Sequence, residues 1–485
     1  MTAKERDQMA HGERPGTALG DDPMKPLLRK IDLYLLPVMA ASYMFQFLDK
    51  SALSNAAILG IQPDLRLSGG DYSWASAIYY CGYVVASYPV AWIMVRMPVA
   101  KLLAVSIFLW GGALMMMALP HNAAGLLTVR FFLGVFEAPL SSGLTIIVAM
   151  WYRRSEQPLR HAAWFAGNSV AGIFGGIAAY GIGHIHAVAP WKALFLIFGA
   201  MTILFAVVVL VMLPDVPARA RFLSEREREL ALARVGDNMT GIRNDEYKWY
   251  QVRETFLDTK TWLLAVLLFG SSLGNAGSNF TSIAIKGFGF TELNTLLLYS
   301  GEYLWQLCFI ILVTWINSRV PNIRTYCMTA CFLMGVLGGL LIRQLPPSMR
   351  WGRYAGVLIH SSYAAYFPVF IAMVSGNTAG FTKKTTTNAV IFMAFGAGSI
   401  IGPQLWFASE APGYPSGFLS LIICLAVAVA ASLLLRVHLI RENRRRDAEQ
   451  SSMPGDAAAI YSLNDEDFNE MDLTDKEMPQ FRYLY

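Results

Sequence analysis

The most constraining feature of this sequence is a series of twelve strongly apolar stretches, most of them 20 residues or longer. Since about 20 apolar residues of α-helix cross the hydrocarbon core of a bilayer, each stretch predicts one membrane-spanning helix. Only 15% of the residues are charged, compared with about 25% in soluble domains, which excludes a soluble enzyme, a coiled coil or a disordered chain. The predicted spans are 31–58, 73–94, 102–119, 124–151, 161–183, 193–213, 261–285, 293–316, 325–342, 354–376, 385–408 and 417–438.

The basic residues set the expected orientation. With both termini in the cytosol, 31 of the 39 Lys and Arg residues fall in cytosolic segments and six in external loops. Cytosolic loops of membrane proteins carry an excess of Lys and Arg, so this distribution predicts a multi-pass protein with both termini cytosolic. The first 30 residues are polar and show no signal peptide. We expect the plasma membrane as its location, with the vacuole or another internal membrane as the alternative.

The longest connection, 214–260, joins spans 6 and 7 and divides the chain into two halves of six helices. It carries nine basic and nine acidic residues. Two such halves joined by a charged cytosolic loop are typical of the major facilitator fold, whose halves are related by a pseudosymmetry axis normal to the membrane. We therefore expect an all-α membrane protein with six-helix bundles over 31–213 and 261–438 and cytosolic tails over 1–30 and 439–485.

Small residues at helical spacing give weak support for this internal repeat. Span 5 carries Gly172 and Gly176, and span 11 carries Gly398 and Gly402. Such faces let helix backbones approach closely. Generic helix packing explains the same pattern without symmetry.

Ionisable residues inside the predicted spans are the main functional candidates, because burying them in a bilayer is costly. Arg130 and Glu137 lie nearly two helical turns apart on span 4, so both face one side of that helix. Span 1 runs antiparallel to span 4, which places Asp49 and Lys50 at a depth similar to that of Arg130. We expect these four residues to share one cavity in the N-terminal half.

Two cations and two carboxylates in one cavity suit a proton-coupled carrier of anions. Desolvation favours the neutral form of a buried carboxylate and a nearby cation favours its charged form, so a substrate anion that occupies the cation changes the protonation of the carboxylate. Asp49 and Glu137 are the predicted proton-coupling residues, and Lys50 and Arg130 the predicted substrate-binding residues. The alternative is a pair of structural ion pairs between spans 1 and 4, or a Lys50 side chain that extends to the membrane surface.

Several further residues are weaker candidates for substrate binding, with helix packing as the alternative for each. Glu302 and His360, on spans 8 and 10, would form a second titrating pair if they face each other. The Gly- and Asn-rich stretch 274–279 predicts a break in span 7 that exposes backbone groups and amides to a cavity, or else a packed kink. The remaining candidates are Asn275, Asn279, Asn168 and Tyr79, with Tyr80 and Tyr83 beside Tyr79.

Motifs of other protein classes are not found in the sequence. The five Cys lie in apolar stretches without zinc or disulfide spacing, and no Gly-rich phosphate loop occurs. We therefore expect no enzyme, no metal, no cofactor and no nucleic-acid partner. The expected partners are a small organic anion, protons and the lipid bilayer, and the expected state is a monomer. An exporter of a secondary metabolite or toxin and a non-transporting nutrient receptor are the alternatives.

Short motifs along nearly the whole chain resemble those of a known family. They are Arg29 to Asp32, Leu36 and Pro37, Leu48 to Lys50, Asn55 and Ala56, Arg130 to Ala138, Met150 to Glu156, Leu213 to Pro217, Ala220 to Leu223, Lys286 to Phe290, Asn377 to Gly380, Thr382 to Lys384, Ile401 to Gln404, Asp472 to Asp475 and Phe481 to Tyr483. Each motif is weak alone, but their order is specific. The chain resembles the fungal allantoate permease family, in the anion:cation symporter branch of the major facilitator superfamily.

The resemblance implies a secondary carrier that moves small organic anions with protons by alternating access. Members of this family take up allantoate, small peptides, nicotinate, pantothenate or related carboxylates. By this resemblance, Asp49 and Glu137 serve proton coupling, and Lys50 and Arg130 bind the anion. Lys50 stands where the family usually has Arg, and because Lys lacks the bidentate fork of Arg, the identity of the substrate stays open.

Overall fold

The structure is a computed structural model that describes residues 24–94, 96–153, 156–185, 187–240, 248–275, 277–452 and 473–485. Within these ranges the regular structure consists of α-helices and short 3-10 turns, without β-strands. The N-terminal half is built from α1 (Met24–Ile58), α2 (Asp71–Met94), α3 (Val99–Met116), α4 (Ala123–Glu137), α5 (Pro139–Trp151), α6 (Gln157–Phe165), α7 (Gly167–Ile182) and α8 (Pro190–Met212).

Two helices belong to the central loop, and the C-terminal half follows them. The loop helices are α9 (Glu225–Thr240) and α10 (Trp249–Leu257). The helices of the C-terminal half are α11 (Thr259–Asn275), α12 (Ser278–Gly287), α13 (Glu292–Arg319), α14 (Arg324–Gln344), α15 (Arg350–Ser361), α16 (Tyr366–Gly376), α17 (Phe381–Ile401) and α18 (Pro415–Ser452). Consecutive pieces such as α4 with α5 and α15 with α16 form single spans.

The number of spans agrees with the prediction. Eleven helical segments of the described ranges are long and apolar enough to cross a bilayer, or twelve if α11 is counted together with the loop helix α10, from which it is bent by 65°. The main difference is at the end of span 12, since α18 continues to Ser452 instead of ending near 438. Its last turns are polar and are stabilised by ion pairs of Arg445 with Glu442 and Glu449, each 2.6 Å long.

The predicted break in span 7 is present. The helix is interrupted between Asn275 and Ser278. Gly277 lies against an aromatic ring there, and a Cβ at this position would come within 2.8 Å of Trp406. The break is therefore packed tightly against the loop that follows α17.

The two halves repeat the same helix pairings. In the N-terminal half α3 packs along α8 and α1 along α7, and in the C-terminal half α14 packs along α18 and α11 along α17. The halves meet through α7 with α13 and through α2 with α17, which are also equivalent pairs. This is the pseudosymmetric two-bundle arrangement that the sequence predicts.

Glycines bring helix backbones together both within and between the halves. A Cβ at Gly134 on α4 would overlap the carbonyl group of Tyr79 on α2, so no larger residue fits there without a shift. At the contact between the halves, Gly172 faces the ring of Tyr303 and Gly176 faces Ser300. The small face predicted on span 5 therefore packs against α13 of the other half.

The start of α1, the central loop and the end of the chain lie on one side of the molecule, which we call the terminal side. Lys30 on α1 forms a 2.7 Å ion pair with Glu227 on α9. Lys260 at the start of α11 forms a 2.7 Å ion pair with Asp475 of the last described segment. The opposite side is called the far side.

Candidate functional site

Glu137, the last residue of α4, is fully buried and held from α2. The buried face of α4 repeats at Leu126, Arg130, Leu133 and Glu137, the spacing that keeps side chains on one helix face. The phenol of Tyr79 donates a hydrogen bond to Oε1 of Glu137. Oε2 of Glu137 has no hydrogen-bond partner among the described residues. Half of the carboxylate is thus fixed and the other half is available to a proton or a ligand.

Lys50 lies beside this carboxylate without an ion pair. Its ammonium group is 5.0 Å from the centre of the Tyr80 ring, a cation–π contact between α1 and α2. The charge of Lys50 acts on Glu137, and Gln46, one turn earlier on α1, is also within reach of that carboxylate. In the described part of the chain, Lys50 forms no ion pair shorter than 4.0 Å. Its charge is therefore available to an incoming anion.

Arg130 occupies the same face of α4, two turns toward the far side from Glu137. Its side chain is 1% exposed. Nε donates to the carbonyl group of Ala75 at 2.9 Å, and the guanidinium lies 5.5 Å from the centre of the Tyr79 ring. Nη1 has no partner within the described residues. Arg130 is thus held in place by α2 while one edge of its fork stays free.

Asp49 is held by other helices than Lys50, Glu137 and Arg130, so one cavity for all four charged residues stays a prediction. Its Oδ2 accepts hydrogen bonds from Trp110 Nε1 on α3 and from Thr202 Oγ1 on α8, both at 2.8 Å, while its Oδ1 has no hydrogen-bond partner among the described residues. Neighbouring residues of a helix point about 100° apart, since the helix has about 3.6 residues per turn. Lys50 therefore faces Tyr80 while Asp49 faces the interior of the N-terminal bundle.

Gln46 and Tyr80 are site residues that the sequence analysis either missed or ranked below the main candidates. Gln46 precedes Lys50 by four residues, which places both on one face of α1. Tyr80 follows Tyr79 on α2, and the two rings meet edge to face at 5.0 Å. The i, i+4 spacing from Lys50 was the available signal for Gln46, although a lone Gln gives no reason to prefer binding over packing.

Asn279 lies at a second place, where the halves meet on the far side. Its Oδ1 accepts from Ser54 on α1 at 3.3 Å, and its carbonyl group accepts from the Tyr72 hydroxyl on α2 at 2.9 Å. Tyr72 precedes Tyr79 by seven residues on the same helix, so this contact lies about 10 Å farther toward the far side than Glu137.

Aromatic rings close the far side around Asn279. Phe280 on α12 stacks on Trp406 at 5.0 Å and contacts Tyr72 of the other half at 5.3 Å. Tyr414 completes the cluster at 5.4 Å from Phe280. The hydroxyl of Ser73 donates to the carbonyl group of Trp406 at 3.3 Å. Contacts between the halves thus cover Asn279 on the far side.

Glu302 and His360 are buried but have separate surroundings. Nδ1 of His360 lies 3.1 Å from the carbonyl oxygen of Gly335 on α14, and its ring lies 5.0 Å from that of Tyr363. Oε2 of Glu302 has no hydrogen-bond partner among the described residues. No hydrogen bond or ion pair within the described ranges joins Glu302 to His360, so the structure does not show the second titrating pair.

The last two candidates add little to the site. Asn168 on α7 lies beside Tyr43 of α1, and its Oδ1 has no partner in the described part of the chain. The side chain of Asn275 lies outside the described part of the structure. The site that the structure assembles from the predicted residues therefore consists of Glu137, Tyr79, Lys50 and Arg130.

Twelve spans in two pseudosymmetric halves, with a charged site buried beside the seam between them, define a membrane transporter. The chain belongs to the major facilitator superfamily, whose family model matches residues 39–403. It is a multi-pass membrane protein that handles small molecules, and it is not an enzyme.

Characterised and uncharacterised transporters of fungi are similar over nearly the full chain. An uncharacterized transporter of Schizosaccharomyces pombe is 36% identical over 460 residues, covering 95% of this chain and 87% of its own. The allantoate permease of Saccharomyces cerevisiae is 32% identical, covering 94% of this chain and 85% of its own. A thiamine pathway transporter of the same yeast is 31% identical, covering 100% and 91%. These relatives place the chain among allantoate permease-like transporters.

Solved structures agree with the fold. A bacterial homologue of the human lysosomal transporter Spinster, crystallised in an inward-facing and unoccupied conformation, superposes with a TM-score of 0.60. The match covers 83% of this chain and 96% of that one, at 14% sequence identity. At this identity the likeness concerns the fold alone.

Proposed function

We propose that this transporter takes up a small organic anion together with protons, with Glu137 as the proton-coupling residue. The observation that carries the proposal is the incomplete pairing of two buried charges, Glu137 and Arg130, beside the half-buried ammonium of Lys50. Among the described residues one carboxylate oxygen of Glu137 and Nη1 of Arg130 have no hydrogen-bond partner, and the ammonium of Lys50 makes a cation–π contact but no ion pair. Buried charges are normally paired, so this arrangement favours a site that a ligand and a proton complete.

The substrate carboxylate is expected to bind between Lys50 and Arg130. One free edge of the Arg130 fork and the ammonium of Lys50 provide charge-assisted donors for a carboxylate. Tyr79 and Tyr80 add aromatic surface beside these donors. A compact anion with an apolar or ureide body fits these groups, which supports the allantoate, vitamin carboxylate or small peptide classes.

Coupling follows from the competition of the substrate and Glu137 for the same cations. An empty site leaves the positive charges of Lys50 and Arg130 facing Glu137, which favours its ionised form. A bound carboxylate neutralises those charges, so the carboxylate of Glu137 takes up a proton more readily. Substrate and proton would then cross together when the halves rearrange around the site.

The proposal is tested by flux in proteoliposomes. Purified protein is reconstituted, an inwardly directed proton gradient is imposed, and uptake of radiolabelled allantoate, nicotinate and pantothenate is measured. Accumulation above equilibrium that disappears with a proton ionophore supports the proposal. Uptake that ignores the gradient overturns proton coupling, and saturable binding without any flux would support a receptor instead. Assays with the gradient reversed distinguish an exporter.

A further inference from the structure

The last described segment, 473–485, packs against the terminal side of the C-terminal half. We call it the C-terminal clasp. Its residues contact the ends of four helices: α11, α16, α17 and α18. The sequence predicts only a cytosolic tail here, so this docking is a finding of the structure.

Asp475 is the centre of the clasp and is fully buried. Its Oδ2 accepts from Lys260 Nζ at 2.7 Å and from the Tyr483 hydroxyl at 2.6 Å. Its Oδ1 lies 2.8 Å from Lys383 Nζ and accepts from the backbone N–H of Ala379 at 3.3 Å. Lys260 lies near the start of α11 and Lys383 near the start of α17, so one carboxylate connects the beginnings of two helices.

Acidic groups around α10 complete the charge balance. Lys383 forms ion pairs with Glu254 at 2.7 Å and with Asp258 at 3.2 Å. Thr474 of the clasp donates to the other oxygen of Glu254 at 3.1 Å. Removing one partner of a buried ion cluster leaves an uncompensated charge, which is strongly destabilising.

Hydrogen bonds to the backbone fix the rest of the clasp. Nη1 of Arg446 on α18 donates to the carbonyl groups of Asp475, Met478 and Phe481 at 2.9, 3.3 and 2.9 Å. Asn377, which follows α16, exchanges two hydrogen bonds with the backbone of Leu484, at 2.8 and 2.7 Å.

A second amide repeats this exchange from the other side. Asn443 on α18 exchanges two hydrogen bonds of 2.9 Å with the backbone of Tyr483. Such two-way pairing of an amide with a backbone fixes the positions of Tyr483 and Leu484.

We propose that the clasp ties the terminal-side ends of α11, α16, α17 and α18 into one rigid body, so that the C-terminal half moves as a unit during transport. α11 and α17 pack along each other through the membrane. A carrier whose halves rock against each other requires each half to keep its internal geometry. The clasp holds the helices of the C-terminal half in a fixed geometry at the end where they emerge from the bilayer.

The test compares the full chain with two variants. One variant ends at Asp472, and the other carries Asp475→Asn in the full chain. We expect both to melt about 5 °C or more below the wild type in detergent, because each leaves Lys260 and Lys383 short of a partner. A synthetic peptide of residues 473–485 should restore the melting temperature of the shortened variant, and the same peptide with Asn at position 475 should not.

Arg482→Gln is the matched control within the clasp. Arg482 pairs with Asp447 at 2.8 Å, but the two side chains are 30% and 63% exposed. An exposed pair contributes little, so this variant should melt within about 1 °C of the wild type.

The distribution of spin-label distances between the starts of α11 and α17 should be narrow in the wild type and broad in the shortened variant.

Three results would overturn the proposed role of the clasp. They are a shortened variant that melts with the wild type, a loss that the peptide does not restore, and an unchanged melting temperature for Asp475→Asn. All these measurements are made without substrate, so they stand or fall independently of the proposed anion transport.

The pH dependence provides a further check. Burial opposes ionisation of Asp475, but the ammonium groups of Lys260 and Lys383 outweigh it and hold the pKa of Asp475 below its usual value of 3.8. A lowered pKa in the folded state gives stability that is present above the unfolded value and is lost as the pH falls below it. The melting difference between wild type and Asp475→Asn should therefore stay constant from about pH 8 to 5 and shrink below about pH 4. A difference that already shrinks near neutral pH would contradict this account.

Discussion

Glu137 and Asp475 are both completely buried carboxylates, yet their surroundings are opposite. Each oxygen of Asp475 has two donors or cations within 3.3 Å. Glu137 has a donor on one oxygen and none on the other within the described residues. Since burying an unpaired charge is costly, a fully paired carboxylate is explained by structure, whereas an incompletely paired one calls for a ligand or a proton.

The cations of the two clusters differ in the same way. Lys383 forms ion pairs with Glu254, Asp258 and Asp475. Lys50 is held by an aromatic ring, and Arg130 by a backbone carbonyl group. The cations of the intramembrane cluster, Lys50 and Arg130, can therefore still pair with a ligand. Those of the terminal-side cluster, such as Lys383, are already paired with carboxylates of the protein. Substitutions in the first should affect transport and spare stability, whereas substitutions in the second should lower stability.

Glu137→Gln is expected to have the largest effect on transport. Gln keeps the size of the side chain and an acceptor for Tyr79, but it cannot exchange a proton. Accumulation driven by an inwardly directed proton gradient should fall to simple equilibration, while the melting temperature changes by less than about 2 °C. The measurement is radiolabelled uptake in proteoliposomes.

The control for Glu137→Gln is Glu292→Gln. Glu292 is a carboxylate at the start of α13 whose side chain is 60% exposed and pairs with Lys286. Proton-driven accumulation in this variant should match the wild type. If Glu137→Gln also accumulates substrate like the wild type, the assignment of coupling to Glu137 is wrong.

Loss of the free cations should weaken substrate binding. Lys50→Gln and Arg130→Gln each remove a charge-assisted hydrogen bond to the substrate, which is worth about 1.5–3 kcal/mol. KM for the transported anion should rise about tenfold to a hundredfold. Lys50→Arg, which restores the charge and adds a fork, should keep KM near the wild-type value or lower it. If all three variants keep the KM of the wild type, the substrate anion binds elsewhere in the protein.

The sequence predicts which residues of α4 share a face, but not which residues of α1 lie beside them. The seven-residue spacing of Arg130 and Glu137 fixes a shared face, because helix geometry alone determines it. The separation of Asp49 from Lys50 depends on which neighbours α1 packs against, and no local pattern contains that information. Twelve apolar stretches likewise predict twelve spans, because a membrane-spanning helix can be predicted from the length and hydropathy of its own residues.

The clasp was not predictable for the same reason. Lys260 and Asp475 are 215 positions apart in the sequence. Lys260 reads as part of a charged loop, and Asp475 as part of a polar tail. Only the folded chain brings these two residues together, and there they form a buried ion pair that stabilises the C-terminal half.

Tyr79→Phe should have an intermediate effect. It removes the donor to Oε1 of Glu137 and leaves the ring beside Arg130 in place. A hydrogen bond to a charged group contributes about 1.5–3 kcal/mol, so the transport rate should fall about tenfold or more, although by less than for Glu137→Gln. KM should change little, because Tyr79 positions Glu137 and not the anion. The pH profile of initial uptake distinguishes this role from simple packing, since only a change in the surroundings of Glu137 shifts it.

Asp49→Asn is expected to have the smallest effect on coupling, and it tests the comparison from the other direction. Asn keeps an acceptor for Trp110 and Thr202, the two groups that bind Oδ2 of Asp49. Uptake should remain within about threefold of the wild type, a difference of less than about 1 kcal/mol, and accumulation should still follow the proton gradient. If Asp49→Asn abolishes accumulation as Glu137→Gln does, a carboxylate with two donors on one oxygen also carries protons. Since Oδ1 of Asp49, like Oε2 of Glu137, has no hydrogen-bond partner among the described residues, the cations beside Glu137 would then no longer separate the functional carboxylate from the structural one.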